Sequence, residues 1–275
     1  MTTRVRRWLG QGAAGLGLSR SLVIYWRPGR QRGLRRMYEP FVQPGDLVFD
    51  VGAHVGDRTL AFAALGARVV AVEPQPLPLA WLKRLTRHRP AIQLEAVALD
   101  ARPGSAWLAI SRLHPTVSTL AEAWRQALPE RHPGFQRVRW EDGIMVPVTT
   151  LDELIARHGV PAFCKIDVEG HEAQVLAGLS QPLPALSVEF IQGALAQAVE
   201  CIDRLEGLAT YEYNVVTGEQ RRFLWPQWRS ATALHQWLHA GAAGIASGDL
   251  YARRTHPPAG PEAGIACASG GLNHG

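Results

Sequence analysis

The sequence predicts an α/β fold, with helices covering both faces of a mostly parallel sheet. Three observations carry that expectation. Strand-like and helix-like patterns alternate from about residue 40 to residue 255, the arrangement that packs helices on a parallel sheet. A short buried-type strand runs into a glycine turn and then a helix, and an acidic residue closes the strand that follows. A length of 275 residues, 47% hydrophobic and 19% charged, suffices for one large domain with a full core and sets aside wholesale disorder or a collagen-like chain.

Residues 1–39 read as a basic, helical N-terminal segment, 40–255 as the folded domain, and 256–275, rich in Pro, Gly, Ala and Ser, as a disordered tail. Within the domain, Leu47–Val51 is a buried strand, residues 58–66 a short apolar helix stopped by Gly66, and Arg68–Val72 a second buried strand. These complete one β-α-β unit. A helix over 77–88 and strands over 92–99 and 105–110 follow. Residues 111–143 show no period and several Pro, His and Gly, so they read as loop and substrate cover. Regular pattern then resumes: strand 145–149, helix 151–158, strand 162–168, helix 171–179, strand 186–190, helix 195–205, strand 210–216, a helix near 230–240 and a final strand over 249–253.

Of the 29 Lys and Arg, which exceed the 24 acidic residues by five, only Lys83 and Lys165 are lysines. Arg4, Arg6, Arg7, Arg20, Arg27, Arg30, Arg32, Arg35 and Arg36 gather at the N-terminus, where a charge run reads first as a solvated face. Their neighbours Trp8, Leu9, Leu22, Val23, Ile24 and Trp26 add an expectation of weak peripheral contact with an anionic membrane surface. Nucleic acid is not a favoured partner. Gln11, Ser19, Arg20 and Ser21 interrupt the run 8–26, which falls short of a membrane span, and no A-x-A cleavage site follows it. Cys164, Cys201 and Cys267 are odd in number with no C-x-x-C pair, against a disulfide framework or a thiolate zinc site. The expected location is cytoplasmic.

The most informative segment runs Asp50-Val51-Gly52-Ala53-His54-Val55-Gly56. Gly52 and Gly56 let a ligand approach the backbone, and the helix N-terminus beyond offers unpaired N–H groups. Glu73 ends the second strand, where a carboxylate can accept from two ribose hydroxyls. The loop is G-x-x-x-G, not the G-x-G-x-x-G of a dinucleotide site, because His54 stands where a glycine is needed. Asp50 would repel a pyrophosphate but can hold the ammonium of a methionine-type ligand. Together these features favour S-adenosylmethionine over NAD.

VFDVGAHVGDRTL (48–60), EPQP from Glu73, AVALD ending at Asp100, TTLDEL (149–154) and KIDVEGHEAQVLAGL (165–179) resemble the FkbM family of S-adenosylmethionine-dependent methyltransferases. The resemblance spans roughly residues 40–195. It implies a class I methyltransferase, Rossmann-like fold with seven strands, the last antiparallel, and O-methylation of a hydroxyl on a sugar or natural-product small molecule. His54 departs from it, since the family usually has Asn there. The expected cofactor contacts are Asp50, Gly52, Ala53, His54, Gly56, Thr59, Glu73, Ala98, Leu99 and Ser118, the last in an S-T-L element similar to one the family carries at the cofactor mouth.

Lys165 to Glu172 ends one strand and opens a helix, at the sheet edge where open α/β sheets bind ligands. Asp167 and Glu169 fall on one side of the extended segment, while His171 and Glu172 belong to the helix. Asp167, Glu169 and His171 are therefore the catalytic candidates, to position or deprotonate an acceptor; Glu172 and Glu189 are candidates for substrate binding. The acidic group has no dedicated ligand spacing, so no metal is expected. Trp107, Trp124, Trp140, Trp225, Trp228 and Trp237 offer sugar-stacking faces but read first as packing. Two other classes compete: an NAD-dependent oxidoreductase, against which the loop spelling argues, and a non-catalytic interaction module, against which the intact Asp50, Gly52, Gly56, Glu73 and Asp167 argue.

Overall fold

The computed structural model describes residues 15–111, 113–131, 136 and 138–255; the first fourteen residues of the expected 1–39 segment and the whole of the expected 256–275 tail lie outside the described residues. In chain order the elements are α1 (residues 15–25), α2 (Arg30–Tyr38), β1 (Leu47–Val51), α3 (Asp57–Ala64), β2 (Arg68–Val72), α4 (Pro76–Thr86), β3 (Ile92–Glu95), β4 (Ala98–Leu99), β5 (Gly104–Ile110), α5 (Glu122–Arg131) and β6 (Asp142–Thr149). They continue with α6 (Leu151–His158), β7 (Phe163–Ile166), α7 (Glu172–Ala177), β8 (Ala185–Ile191), α8 (Leu195–Glu206), β9 (Tyr211–Thr217), β10 (Arg229–Ser230), α9 (Ala231–His239) and β11 (Ser247–Arg254).

The main sheet runs β10-β9-β11-β8-β7-β1-β2-β3. Strands β1, β2, β3, β7 and β8 are parallel neighbours, and β11 enters antiparallel between β8 and β9. The fold class and the antiparallel last strand match expectation. The strand count is eight instead of seven because the two-residue β10 pairs along the edge of β9. Every residue of β1 is buried, as a central strand covered on both faces requires. Period-two alternation splits the core: Phe49, Val51, Ile166 and Val188 face one apolar cluster, Val48, Phe163 and Tyr251 the other.

Two stretches depart from the sequence reading. The run 92–99 breaks after Glu95, and Ala98–Leu99 pairs with Val148–Thr149 in a separate three-stranded sheet, β4-β6-β5. The supposed loop 111–143 carries α5, whose Trp124 is buried against Ile191 and meets the Trp140 ring edge-on. The arginine-rich segment is also not wholly a solvated face. Leu34, Met37 and Tyr38 of α2 are buried in the core, and Arg30, only 5% exposed, pairs with Asp57 and Glu219 at 2.8 Å each. Among the described residues no helix is long and apolar enough to cross a membrane.

Candidate active site

The site is assembled where β1, β2 and β7 end side by side. Gly52 N and Ala53 N both donate to Val72 O at 3.0 Å, and Asp167 N donates to Val51 O. Gly52 holds φ 79°, and a Cβ there would stand 1.9 Å from the Asp167 carbonyl oxygen, so no other residue allows the two strand ends to pass. Gly56, also left-handed, opens α3. His54 is left-handed as well, at φ 45°, a strained state for a side-chain-bearing residue; its N–H donates to Glu73 Oε2 at 2.9 Å.

These turns wall a cleft of about 840 Å³, counting the open space at its mouth. Asp50, Gly52, Ala53, His54, Glu73, Ala98, Leu99, Ser118, Asp167, Glu169 and His171 all line it. Gly56 and Thr59 do not. Thr59 instead donates its hydroxyl to Asp50 Oδ2 at 2.5 Å, which orients that carboxylate; Asp50 Oδ1 is buried without a hydrogen-bond partner. Glu73, 2% exposed, is pinned from both sides, Oε1 accepting from Gln75 N at 2.8 Å. Burial pushes its carboxyl up to about 7, against those two backbone bonds. Val97, Ala98, Leu99 and Leu108 supply an apolar wall beside it.

At the other end of the cleft carboxylates gather. Oxygens of Asp167, Glu169 and Glu189 lie within 4.8 Å of one another. Asp167 is held below the usual range despite its burial, chiefly by the Lys165 ammonium, 2.7 Å from Oδ2. Burial and the Asp167 charge drive Glu169 and Glu189 up. The chain turns left-handed at Glu169 and Gly170, and Glu172 secures that turn by accepting from Val168 N and Gly170 N. Glu172 and Glu189 do not line the cleft; they border a smaller cavity of about 220 Å³ beside Trp124. His171 caps α7, its Nε2 3.3 Å from Asp100 Oδ2.

Sequence reasoning missed Tyr25 of α1 and Arg58 of α3, which also line the cleft. No local pattern marks Tyr25, which reaches the site from outside the β-α-β core. Thr119 ties the cover to the floor, its hydroxyl donating to the Glu169 carbonyl at 2.7 Å. Of the tryptophans weighed as platforms, Trp225 and Trp237 pack on each other and Trp228 packs on Phe41 and Phe223. Trp107 is 59% exposed.

Residues 50–242 match the Methyltransferase FkbM domain. The chain belongs to the FkbM methyltransferase family. It is 31% identical over 187 residues, 58% of this chain and 71% of the relative, to 31-O-demethyl-FK506 methyltransferase FkbM of Streptomyces tacrolimicus. It is 26% identical to the hexuronic acid methyltransferase AglP of Haloferax volcanii, over 60% of this chain and 62% of that protein. A TehB-like S-adenosylmethionine-dependent methyltransferase from Corynebacterium glutamicum aligns at 11% identity and a TM-score of 0.44, covering 92% of this chain and 96% of the other. As an FkbM-family protein the chain is a methyltransferase dependent on S-adenosylmethionine. The cleft suits that cofactor: Asp50 Oδ1 is an orphaned buried acceptor, the group an ammonium needs, and Glu73 is a fixed acceptor for a diol beside an apolar wall.

Proposed function

We propose that the protein transfers a methyl group to a hydroxyl oxygen of a sugar or natural-product small molecule. The observation that carries this reading is the polarity of the cleft. One end pairs an apolar wall with the pinned Glu73, and the other gathers the ionised Asp167 and the Glu169 carboxyl, polar groups suited to hydroxyls. Of the two relatives named above, the first is named for a 31-O-demethyl compound, an oxygen acceptor, and the second for a hexuronic acid, which places a sugar among the family's substrates.

In this reading Glu73 takes the ribose hydroxyls, Asp50 Oδ1 the methionyl ammonium, Ala98 and Leu99 the adenine, and Gly52, Ala53 and His54 the backbone side of the cofactor. Gly56 and Thr59 act indirectly, through the turn and through Asp50, and Ser118 closes the mouth. The bound cofactor supplies an electrophilic methyl group on a sulfonium. Asp167, kept ionised by Lys165, orients the acceptor hydroxyl, and alignment of this kind supplies much of the acceleration in such a transfer. Glu169 shares the wall, His171 steadies the floor at Asp100, and Glu189 borders the acceptor from behind. The transferase unit takes in α2, whose side chains share its core.

Calorimetry with S-adenosylhomocysteine and transfer from methyl-labelled S-adenosylmethionine to 31-O-demethyl-FK506 and to a methyl glucuronide test the reading. Binding with labelled methyl ether as product is expected. A product labelled on nitrogen in an amine-bearing acceptor panel, with both hydroxyl probes inert, overturns it.

A further inference from the structure

Resting on the hydroxyl transfer proposed above, we propose that His54, not one of the carboxylates, takes the proton that the acceptor hydroxyl releases. His54 lines the cleft, and both ring nitrogens, Nδ1 and Nε2, are buried without a hydrogen-bond partner. A buried imidazole with two unsatisfied nitrogens is costly unless a ligand engages it. Its backbone pays a second cost in the left-handed region at φ 45°, of the kind stored at functional sites.

Among the alternatives, Asp167 Oδ2 is bonded to Lys165, Glu172 closes a turn, His171 Nε2 stands 3.3 Å from Asp100, and burial beside the Asp167 charge favours the protonated form of Glu169, which cannot take a further proton. His54 is faced by Tyr25 of α1, whose ring meets it edge-on at 6.2 Å between centroids, by Asp57 of α3, by Lys165 of β7 and by Asp167 just beyond that strand; Glu73 binds its N–H. Burial outweighs the two carboxylates and lowers the imidazole to about 4, so it is neutral and able to accept near neutral pH. A weak base suffices, because the hydroxyl proton becomes strongly acidic as its oxygen is alkylated. In the balanced step the oxygen–methyl bond forms, the methyl–sulfur bond breaks with its electron pair left on sulfur, and the proton passes to an imidazole nitrogen. The imidazolium so formed lies beside the ionised Asp167.

The test compares wild type with His54→Gln and His54→Asn, using 31-O-demethyl-FK506 and a methyl glucuronide as probes. Each variant should lose roughly a hundredfold in kcat, keep S-adenosylhomocysteine affinity within about threefold, melt like wild type, and lose the acidic limb of the kcat–pH profile. Unchanged kcat and profile overturn the proposal, as does a loss of S-adenosylhomocysteine binding with kcat unchanged, which would make His54 a cofactor ligand. If wild type methylates neither probe, the acceptor class is what fails, and imidazole ¹⁵N spectra of the S-adenosylhomocysteine complex decide. A neutral ring titrating below about pH 6 supports the proposal, and a ring protonated at neutral pH overturns it.

Discussion

Lys165 Nζ stands 2.7 Å from Asp167 Oδ2, and the lysine side chain is only 2% exposed. One of the chain's two lysines is thus a cation inside the sheet, flanked by Asp50 in the paired register of β1. Removing one partner of such a pair strands the other charge in a poor solvent. We therefore expect Lys165→Met to cost on the order of 3 kcal/mol in denaturant unfolding, and Lys165→Met/Asp167→Asn to recover a large part of it. The sign of the pH dependence follows from Asp167, whose pKa is depressed in the folded state. Its contribution is present above about pH 4, the unfolded value, and is lost as pH falls further. A double variant no more stable than the single lysine variant would show that the pair does not act as a unit.

Gly52→Ala should be among the most damaging single-atom additions in the molecule. The new Cβ would meet the Asp167 carbonyl oxygen, part of the backbone, at 1.9 Å and at a φ of +79°, so neither a rotamer change nor a side-chain shift relieves it. A loss of about 2–4 kcal/mol is expected, together with loss of S-adenosylhomocysteine binding, since the strand ends that shape the cleft must separate. Near-native stability by thermal melt with intact binding would refute the close approach.

The contrast between Gly52 and Tyr25 shows what could be read without coordinates. Gly52, Glu73 and Asp167 belong to consecutive β-α units, where a strand end, a turn and a carboxylate recur at spacings that local rules describe. That recurrence makes the glycine turn and its flanking carboxylates legible in the sequence, whereas Tyr25, which lines the same cleft, is not. Ala98–Leu99 escapes a local reading because the apolar run 96–99 follows the alternating run 92–95 with no Gly or Pro between them, while the partner of Ala98, Val148, lies fifty residues on. Helix α5 escaped because Pro129 sits inside it and its anchor, Trp124, gains meaning only against Ile191. The role of Arg30 was hidden by its eight arginine neighbours, since only Asp57 and Glu219, distant in sequence, make it a buried ion-pair partner.

Asp167→Asn separates positioning from binding. The amide keeps the shape but forfeits the charge that Lys165 holds in place, so kcat with the hydroxyl probes should drop by roughly tenfold to a hundredfold. Cofactor affinity should stay within a few fold, because Asp50 and Glu73 are untouched. Single-turnover transfer and calorimetry on the same preparation make the comparison; full turnover in the variant would move the acidic cluster to a structural role.

With Glu73 holding the ribose hydroxyls as proposed above, cofactor binding is linked to pH. Burial raises the Glu73 carboxyl to about 7, so below that pH the free protein holds it protonated. Ribose hydroxyls donate to the ionised form and stabilise it, and binding must then release a proton over that range. Affinity for S-adenosylhomocysteine should therefore increase as pH rises toward about 7, by at most tenfold per pH unit, and level off above. Stability of the free protein runs the other way. A folded pKa above the unfolded one means the native state holds its proton more tightly, so stability falls as pH climbs from about 4.5 to about 7. Glu172, also raised to about 7, steepens that fall, each group contributing up to about 1.4 kcal/mol per pH unit. Glu73→Gln should weaken S-adenosylhomocysteine more than tenfold, flatten the pH dependence of binding, and remove one group's share of the stability slope, leaving the part due to Glu172 and the other raised carboxyls, Glu169, Glu189 and Asp249. Calorimetry and denaturant titrations across about pH 5–8 read all three, and a pH dependence of binding that persists in Glu73→Gln would assign the proton to another group.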